Sequence, residues 1–174
     1  EPLIRDGYLA IVYGGADVGE HLTGSGLVDT VHITGSERTH DTIVFGPGEA
    51  GQEAKAAGTP RFGKPIRSEL GGASPTIVVP GPWTSADIAY QAQHLATQKL
   101  FSAGHTCVAS QVLILPEGWD RKDQLLDALR SALAGAPDRA PFYPGTQERQ
   151  DAFRAANPTA ETILTAYPSD APKP

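Results

Sequence analysis

Asp29-Thr30-Val31-His32-Ile33-Thr34-Gly35-Ser36 sets Val31 and Ile33 on one face of an alternating run that stops at a glycine and a serine. Period-two alternation marks a strand, and the Gly-Ser stop marks a turn after it. Upstream, Tyr8-Leu9-Ala10-Ile11-Val12-Tyr13 is apolar, contains β-branched residues and halts at Gly14-Gly15, so it too reads as a buried strand. Short helices fit over 16–25 and 37–45. Strand, helix, strand, helix at this spacing predicts an α/β fold: a parallel sheet with crossover helices, whose ligands sit at the carboxyl ends of the strands. Both glycine turns fall at those ends.

Between 46 and 63 the composition shifts to Gly, Pro, Ala and Glu without apolar periodicity, which reads as a surface loop. Order resumes at Pro65-Ile66-Arg67-Ser68-Glu69-Leu70, then Gly71-Gly72, then a short strand Thr76-Ile77-Val78-Val79. Thr84 with Asp87 has capping-box spacing, and Ile88, Ala92, Leu95, Ala96 and Leu100 recur at helical intervals, predicting a helix to about Ser102. Gln111-Val112-Leu113-Ile114-Leu115 reads as a buried strand, so Cys107 lies in a helix-to-strand connection. A second amphipathic helix over 120–133 offers Leu126, Leu129 and Leu133 as its inner stripe. Beyond Pro137 only 146–156 looks helical, and the Pro-rich last eight residues read as a frayed end.

With 174 residues, 40% of them hydrophobic and 20% charged, the chain is long enough for one domain or two small lobes. Lysine and arginine number 14 against 20 acidic residues, a net charge of −6, and no basic cluster breaks that balance, which argues against nucleic acid as a partner. No apolar run approaches the roughly 18 residues of a membrane span, so a soluble, cytoplasmic protein is expected. The single cysteine and five histidines lack metal-ligand spacing, so no metal site is expected either. Methionine is absent even at position 1, which suggests a piece of something longer.

Three local constellations could carry chemistry. Gly35-Ser36 at a strand-to-helix turn lets backbone approach a ligand and offers free amides to phosphate, although such turns are common structural devices. Glu69 beside Gly71-Gly72 is a general-base candidate, with a merely solvated turn carboxylate as the plain alternative. Cys107 in Gly104-His105-Thr106-Cys107 is a nucleophile candidate, against a small buried hydrophobe. His105 reads as a solvated loop histidine that would share a direction with Cys107 if the segment were strand-like.

In this order these segments resemble the aldehyde dehydrogenase superfamily. The resemblance rests on Thr34-Gly35-Ser36, on Glu69-Leu70-Gly71-Gly72 followed by Ser74-Pro75-Thr76-Ile77-Val78, and on Phe101-Ser102-Ala103-Gly104-His105-Thr106-Cys107, covering about 9–115. It implies parts of a Rossmann-like cofactor domain (1–68) and of the adjoining α/β catalytic domain (69–136), followed by a Pro-rich, partly helical segment (137–174). It implies oxidation of a small-molecule aldehyde by NAD or NADP through a thioester on Cys107, with Glu69 activating the hydrolytic water. By the same resemblance Gly35 and Ser36 match the turn against the cofactor pyrophosphate, Leu70 matches a backbone contact near the nicotinamide, and Gly15 and Gly19 fall near a further cofactor-side turn. The chemistry suits these residue types, since a thiolate is a soft nucleophile and a carboxylate a suitable base for water.

The chain departs from the family pattern in several places. Arg38-Thr39-His40-Asp41 stands where a further glycine is usual, Ala73 replaces a lysine, and 46–63 looks inserted. Family segments that hold the oxyanion and grip the cofactor lie outside the match, which suggests a central fragment, inactive alone, with a raw sheet edge and a tendency to form homo-oligomers. A catalytically silent binding or assembly module and a cysteine hydrolase remain as alternatives.

Overall fold

Val31, Ile33 and Gly35 face inward and His32 and Thr34 outward along β1 (Val31–Gly35), the alternation that the sequence sets up. β1 pairs in parallel with β2 (Ile66–Leu70), in a register that sets Val31 beside Ile66 and Gly35 beside Leu70. The computed structural model describes residues 1–137 and 139–163, and its contacts divide the chain into two units, Glu1–Gly71 and Gly72–Pro174. The expected frayed end therefore lies outside the described residues.

In the first unit, α1 (Pro2–Arg5) and α2 (Ala16–Gly24) precede β1, and α3 (Glu37–Phe45) and α4 (Gly48–Ala56) form the crossover to β2. Parallel neighbours require such a crossover. Gly46, at φ +97°, turns the chain between α3 and α4. The two helices approach closely at Gly51, where an added Cβ would lie 1.9 Å from the Gly46 carbonyl oxygen. Val44 and Ala54 are the buried apolar side chains of this unit. The Lys55 ammonium donates to Glu37 at 2.7 Å and Asp41 at 2.6 Å, tying α4 to α3. Lys64 donates to the Thr23 and Ser25 carbonyls at the end of α2, 2.8 and 2.5 Å away.

Two expectations fail in this unit. Half of the stretch read as a loop over 46–63 is helix, because Glu49, Ala50, Gln52, Glu53, Ala54 and Lys55 are good helix formers whose sum outweighs the flanking Gly and Pro. The run 8–13 forms no strand and is exposed, Tyr8 by 82% and Tyr13 by 90%. A strand needs a neighbour to take its backbone hydrogen bonds, and among the described residues no strand pairs with this run.

The second unit is built on β3 (Pro75–Ile77) in parallel with β4 (Val112–Ile114), with Pro75 beside Val112 and Ile77 beside Ile114. α5 (Ser85–Leu100) packs on α6 (Lys122–Ala134), and α7 (Thr146–Ala156) follows. Thr84 and Asp87 form the capping box that their spacing predicts. Val78, Ile88, Ala92, Leu95, Trp119 and Leu125 make the core, with Trp83 set edge-on against Trp119 at 5.1 Å. Burying a side chain the size of Ile88 or Leu125 contributes about 1.5–3 kcal/mol, and both are almost fully covered. The inner stripe of α6 is Leu125, Ala128, Leu129 and Ala132, one residue off the expected Leu126 and Leu133, which are only half-buried. α5 ends at Leu100 in a 3₁₀ turn, Phe101–Gly104, rather than running to Ser102. Among the described residues, no helix is long and apolar enough to cross a membrane.

Candidate active site

The β1–β2 register puts Thr34 beside Glu69 and Gly35 beside Leu70, so Gly35, Ser36, Glu69 and Leu70 share the carboxyl end of this strand pair. Leu70 is half-buried on the inner face, and Glu69 is exposed on the other. Ser36 caps α3: its hydroxyl accepts from the Thr39 amide at 3.1 Å and pairs with the Thr39 hydroxyl at 2.9 Å. The amides of Glu37 and Arg38 are first-turn donors that a helix leaves without intrahelical partners, at its positive end, where an anion such as phosphate is favoured.

Beside this helix start lies a cavity of about 710 Å³ between α3 and α4, lined by Glu37, Arg38, Asp41, Gly46, Gly51 and Lys55 among others. The Lys55 ammonium holds the Asp41 carboxyl below the usual carboxylate range, and Asp41 and then Glu37 raise Lys55 in return. Among the described residues Arg38 carries no ion pair, so of the two lining cations it is the one not already matched by carboxylates. Gly15 and Gly19 belong to a different helix start. Gly15 caps α2, and the Gly19 amide donates to the Gly15 carbonyl at 3.2 Å.

Cys107 is exposed in the connection between α5 and β4, which removes the reading of it as a small core hydrophobe. The backbone before it is unusual: Ser102, Ala103 and Gly104 are all left-handed, at φ +50°, +54° and +77°. For a residue with a Cβ that conformation costs about 1–2 kcal/mol, so it persists only where the surroundings hold it. The Ser110 amide bonds the Gln98 carbonyl at 3.3 Å, the Gln111 amide bonds the Ala73 carbonyl at 3.1 Å, and Ala109 is fully buried. Ser74, itself at φ +41°, donates its hydroxyl to the Cys107 carbonyl at 3.0 Å. Beneath the loop, Thr76 bonds Gln98 and Ser110 at 3.1 and 3.0 Å, and Lys99 donates to Gln111 at 2.7 Å. Burial lowers the Lys99 ammonium from its ordinary value. The thiol thus sits in a segment whose backbone is fixed on both sides.

His105 departs from the sequence reading. Among the described residues its buried Nε2 has no hydrogen-bond partner, and its ring lies against Phe142 at 4.8 Å and Tyr143 at 5.5 Å. Its segment is a turn, not a strand, so the shared direction with Cys107 does not follow. Ser74 lies in the stretch that carries the resemblance but without a role of its own there, and Lys55 lies in the stretch taken for a loop. Glu69 lies in the first unit and Cys107 in the second. Among the described residues, no group of three or more His, Cys, Asp or Glu could hold a metal ion.

Residues 4–157 match the aldehyde dehydrogenase family. N-succinylglutamate 5-semialdehyde dehydrogenase 1 of Caulobacter vibrioides is 35% identical over 143 residues, 79% of this chain and 27% of that protein. The N-succinylglutamate 5-semialdehyde dehydrogenase of Chromohalobacter salexigens is 33% identical over 160 residues, 86% of this chain and 29% of its own length. Coniferyl aldehyde dehydrogenase of a Pseudomonas species is 35% identical over 108 residues, 62% of this chain and 20% of that protein. The chain therefore spans between a fifth and a third of the length of these relatives. With the family match covering most of its residues, the chain belongs to the aldehyde dehydrogenase family.

Proposed function

We propose that this chain supplies the nucleophile and the base for oxidation of a small-molecule aldehyde to a carboxylic acid, within a longer NAD(P)-dependent enzyme. The observation that carries the reading is an exposed Cys107 three residues beyond a left-handed turn, its carbonyl held by Ser74, in a chain of this family. In this reading the Cys107 sulfur attacks the carbonyl carbon to give a thiohemiacetal, and loss of hydride from that carbon leaves a thioester. NAD or NADP, when bound, supplies the hydride acceptor. The Glu69 carboxylate then takes a proton from water as the water oxygen attacks the thioester carbon, releasing the acid and the thiol. The free amides at the start of α3, behind Gly35 and Ser36, and the cavity beside them fit a pyrophosphate, with Leu70 next to Gly35 on the neighbouring strand. Gly15 and Gly19 would serve the cofactor from α2.

Residues 1–68 would then close the cofactor-binding domain, 69–136 would open the catalytic domain, and 137–174 would follow as a Pro-rich segment. A cytoplasmic homo-oligomer is the setting we propose, and the apolar side chains exposed over 8–13 suit burial against other chain. One observation favours a second reading, a catalytically silent module: Arg38-Thr39-His40-Asp41 occupies the first turns of α3 where the family pattern has a glycine.

The test is the alkylation rate of Cys107, the single thiol, by iodoacetamide with and without NAD or NADP. A rate that changes on saturation with either cofactor is expected. Equal rates would mean that this chain is scaffold and that the silent module is the better reading.

A further inference from the structure

Among the described residues, aromatic contacts hold the ring of His105 and no hydrogen bond reaches it. Phe142 meets it edge-on at 4.8 Å and 69°, Tyr143 lies against it at 5.5 Å and 36°, and the two aromatic rings touch each other at 5.9 Å. Among the described residues the buried Nε2 has no hydrogen-bond partner, so the packing around it is what holds the ring in place. A second tie runs from the same stretch, where the Arg139 guanidinium donates to the Leu100 carbonyl at 3.3 Å. The Thr146 hydroxyl in turn fixes the Tyr143 carbonyl at 2.6 Å. Leu100 and His105 bracket the three left-handed residues Ser102, Ala103 and Gly104, and the His105 amide closes that turn onto the Ser102 carbonyl at 3.0 Å.

We infer that Phe142, Tyr143 and Arg139 are positioning residues that clamp both ends of the strained turn and so fix the backbone that carries Cys107. Two left-handed non-glycine residues in a row relax to ordinary backbone unless something holds them. Ser74 holds the far side of Cys107. The clamp holds the near side, through a histidine ring rather than a hydrogen bond. A ring is what His105 contributes, so phenylalanine can replace it and alanine cannot. The purpose of the clamp rests on the reading of Cys107 as nucleophile, but its existence does not.

The test uses the full chain without cofactor and compares Cys107 alkylation by iodoacetamide in the native protein with that in urea. His105→Ala, and Phe142→Ala with Tyr143→Ala, are expected to move the native rate at least about threefold toward the unfolded value, while His105→Phe keeps the native rate. Arg139→Gln removes only the exposed tie to Leu100 and is expected to move the rate in the same direction, even if the aromatic double variant fails to fold. Native and unfolded rates that already agree would overturn the proposal. So would folded alanine variants, judged by circular dichroism, that react like the parent. A clamp effect without any response to NAD(P) leaves the clamp standing and removes the catalytic reading, so the two failures separate.

Discussion

Thr84 and Asp87 hold the start of α5 reciprocally. The Thr84 hydroxyl accepts from the Asp87 amide at 3.2 Å, and the Asp87 carboxylate accepts from the Thr84 amide and hydroxyl at 2.7 Å each. These bonds from Thr84, with some help from Arg121, hold the Asp87 carboxyl below its ordinary value. A carboxyl depressed in the folded state adds stability that is present above its unfolded pKa of about 3.9. That stability is lost as the pH falls through the folded value. Thr84→Ala is expected to cost about 1 kcal/mol, read as a lower melting temperature at neutral pH. It should also flatten the loss of stability on acidification below about pH 4. An unchanged acid profile would show that the carboxylate draws its stabilisation from elsewhere.

The capping box was legible because two side chains three apart make it, and nothing distant can prevent it. The same holds for α3 and α7, whose bounds match the expected 37–45 and 146–156. The run 8–13 shows the opposite case: its strand propensity is real, but a strand is a relation to a neighbour, and propensity names no neighbour. α4 was hidden because Gly48 and Gly51 read as breakers, yet Gly51 is there for contact. Ala in its place would gain about 1 kcal/mol of helix propensity, but its Cβ would come 1.9 Å from a backbone oxygen of Gly46, which cannot swing aside. Overpacking of this kind costs about 1–3 kcal/mol or more, so the clash wins. Gly51→Ala is expected to destabilise the first unit in denaturant melts, and Gly19→Ala, with open space around its Cα in α2, to be neutral or stabilising. If both raised stability, the close approach of α4 to the end of α3 would be wrong. In the candidate site, the β1–β2 register sets Gly35, Ser36, Glu69 and Leu70 at one end of the strand pair, and their order along the chain was readable. The left-handed turn and the aromatic hold on His105 were not, because they depend on Phe142 and Tyr143, more than thirty positions away.

The two units differ in how much they bury. Val44 and Ala54 are the buried apolar side chains of the first, whereas the second holds Ile88, Leu95, Trp119 and Leu125 within a continuous cluster. Burial is the main favourable term in folding, so the first unit should open at lower free energy and exchange its amides sooner. The β1 and β2 amides are therefore expected to exchange faster than those of α5 and α6. The first unit is also where the cofactor would be held, at the start of α3. A ligand that binds only the folded form adds about 2.7 kcal/mol when present at 100 times its dissociation constant. That corresponds to about a hundredfold slower exchange by opening of the unit it binds. NAD or NADP should accordingly protect the amides of β1, α3 and β2 while leaving α6 nearly unchanged. Protection confined to the second unit would move the cofactor site away from Gly35 and Ser36. Absent protection at saturating cofactor would leave the strand ends as structural turns, with the altered first turns of α3 as the reason.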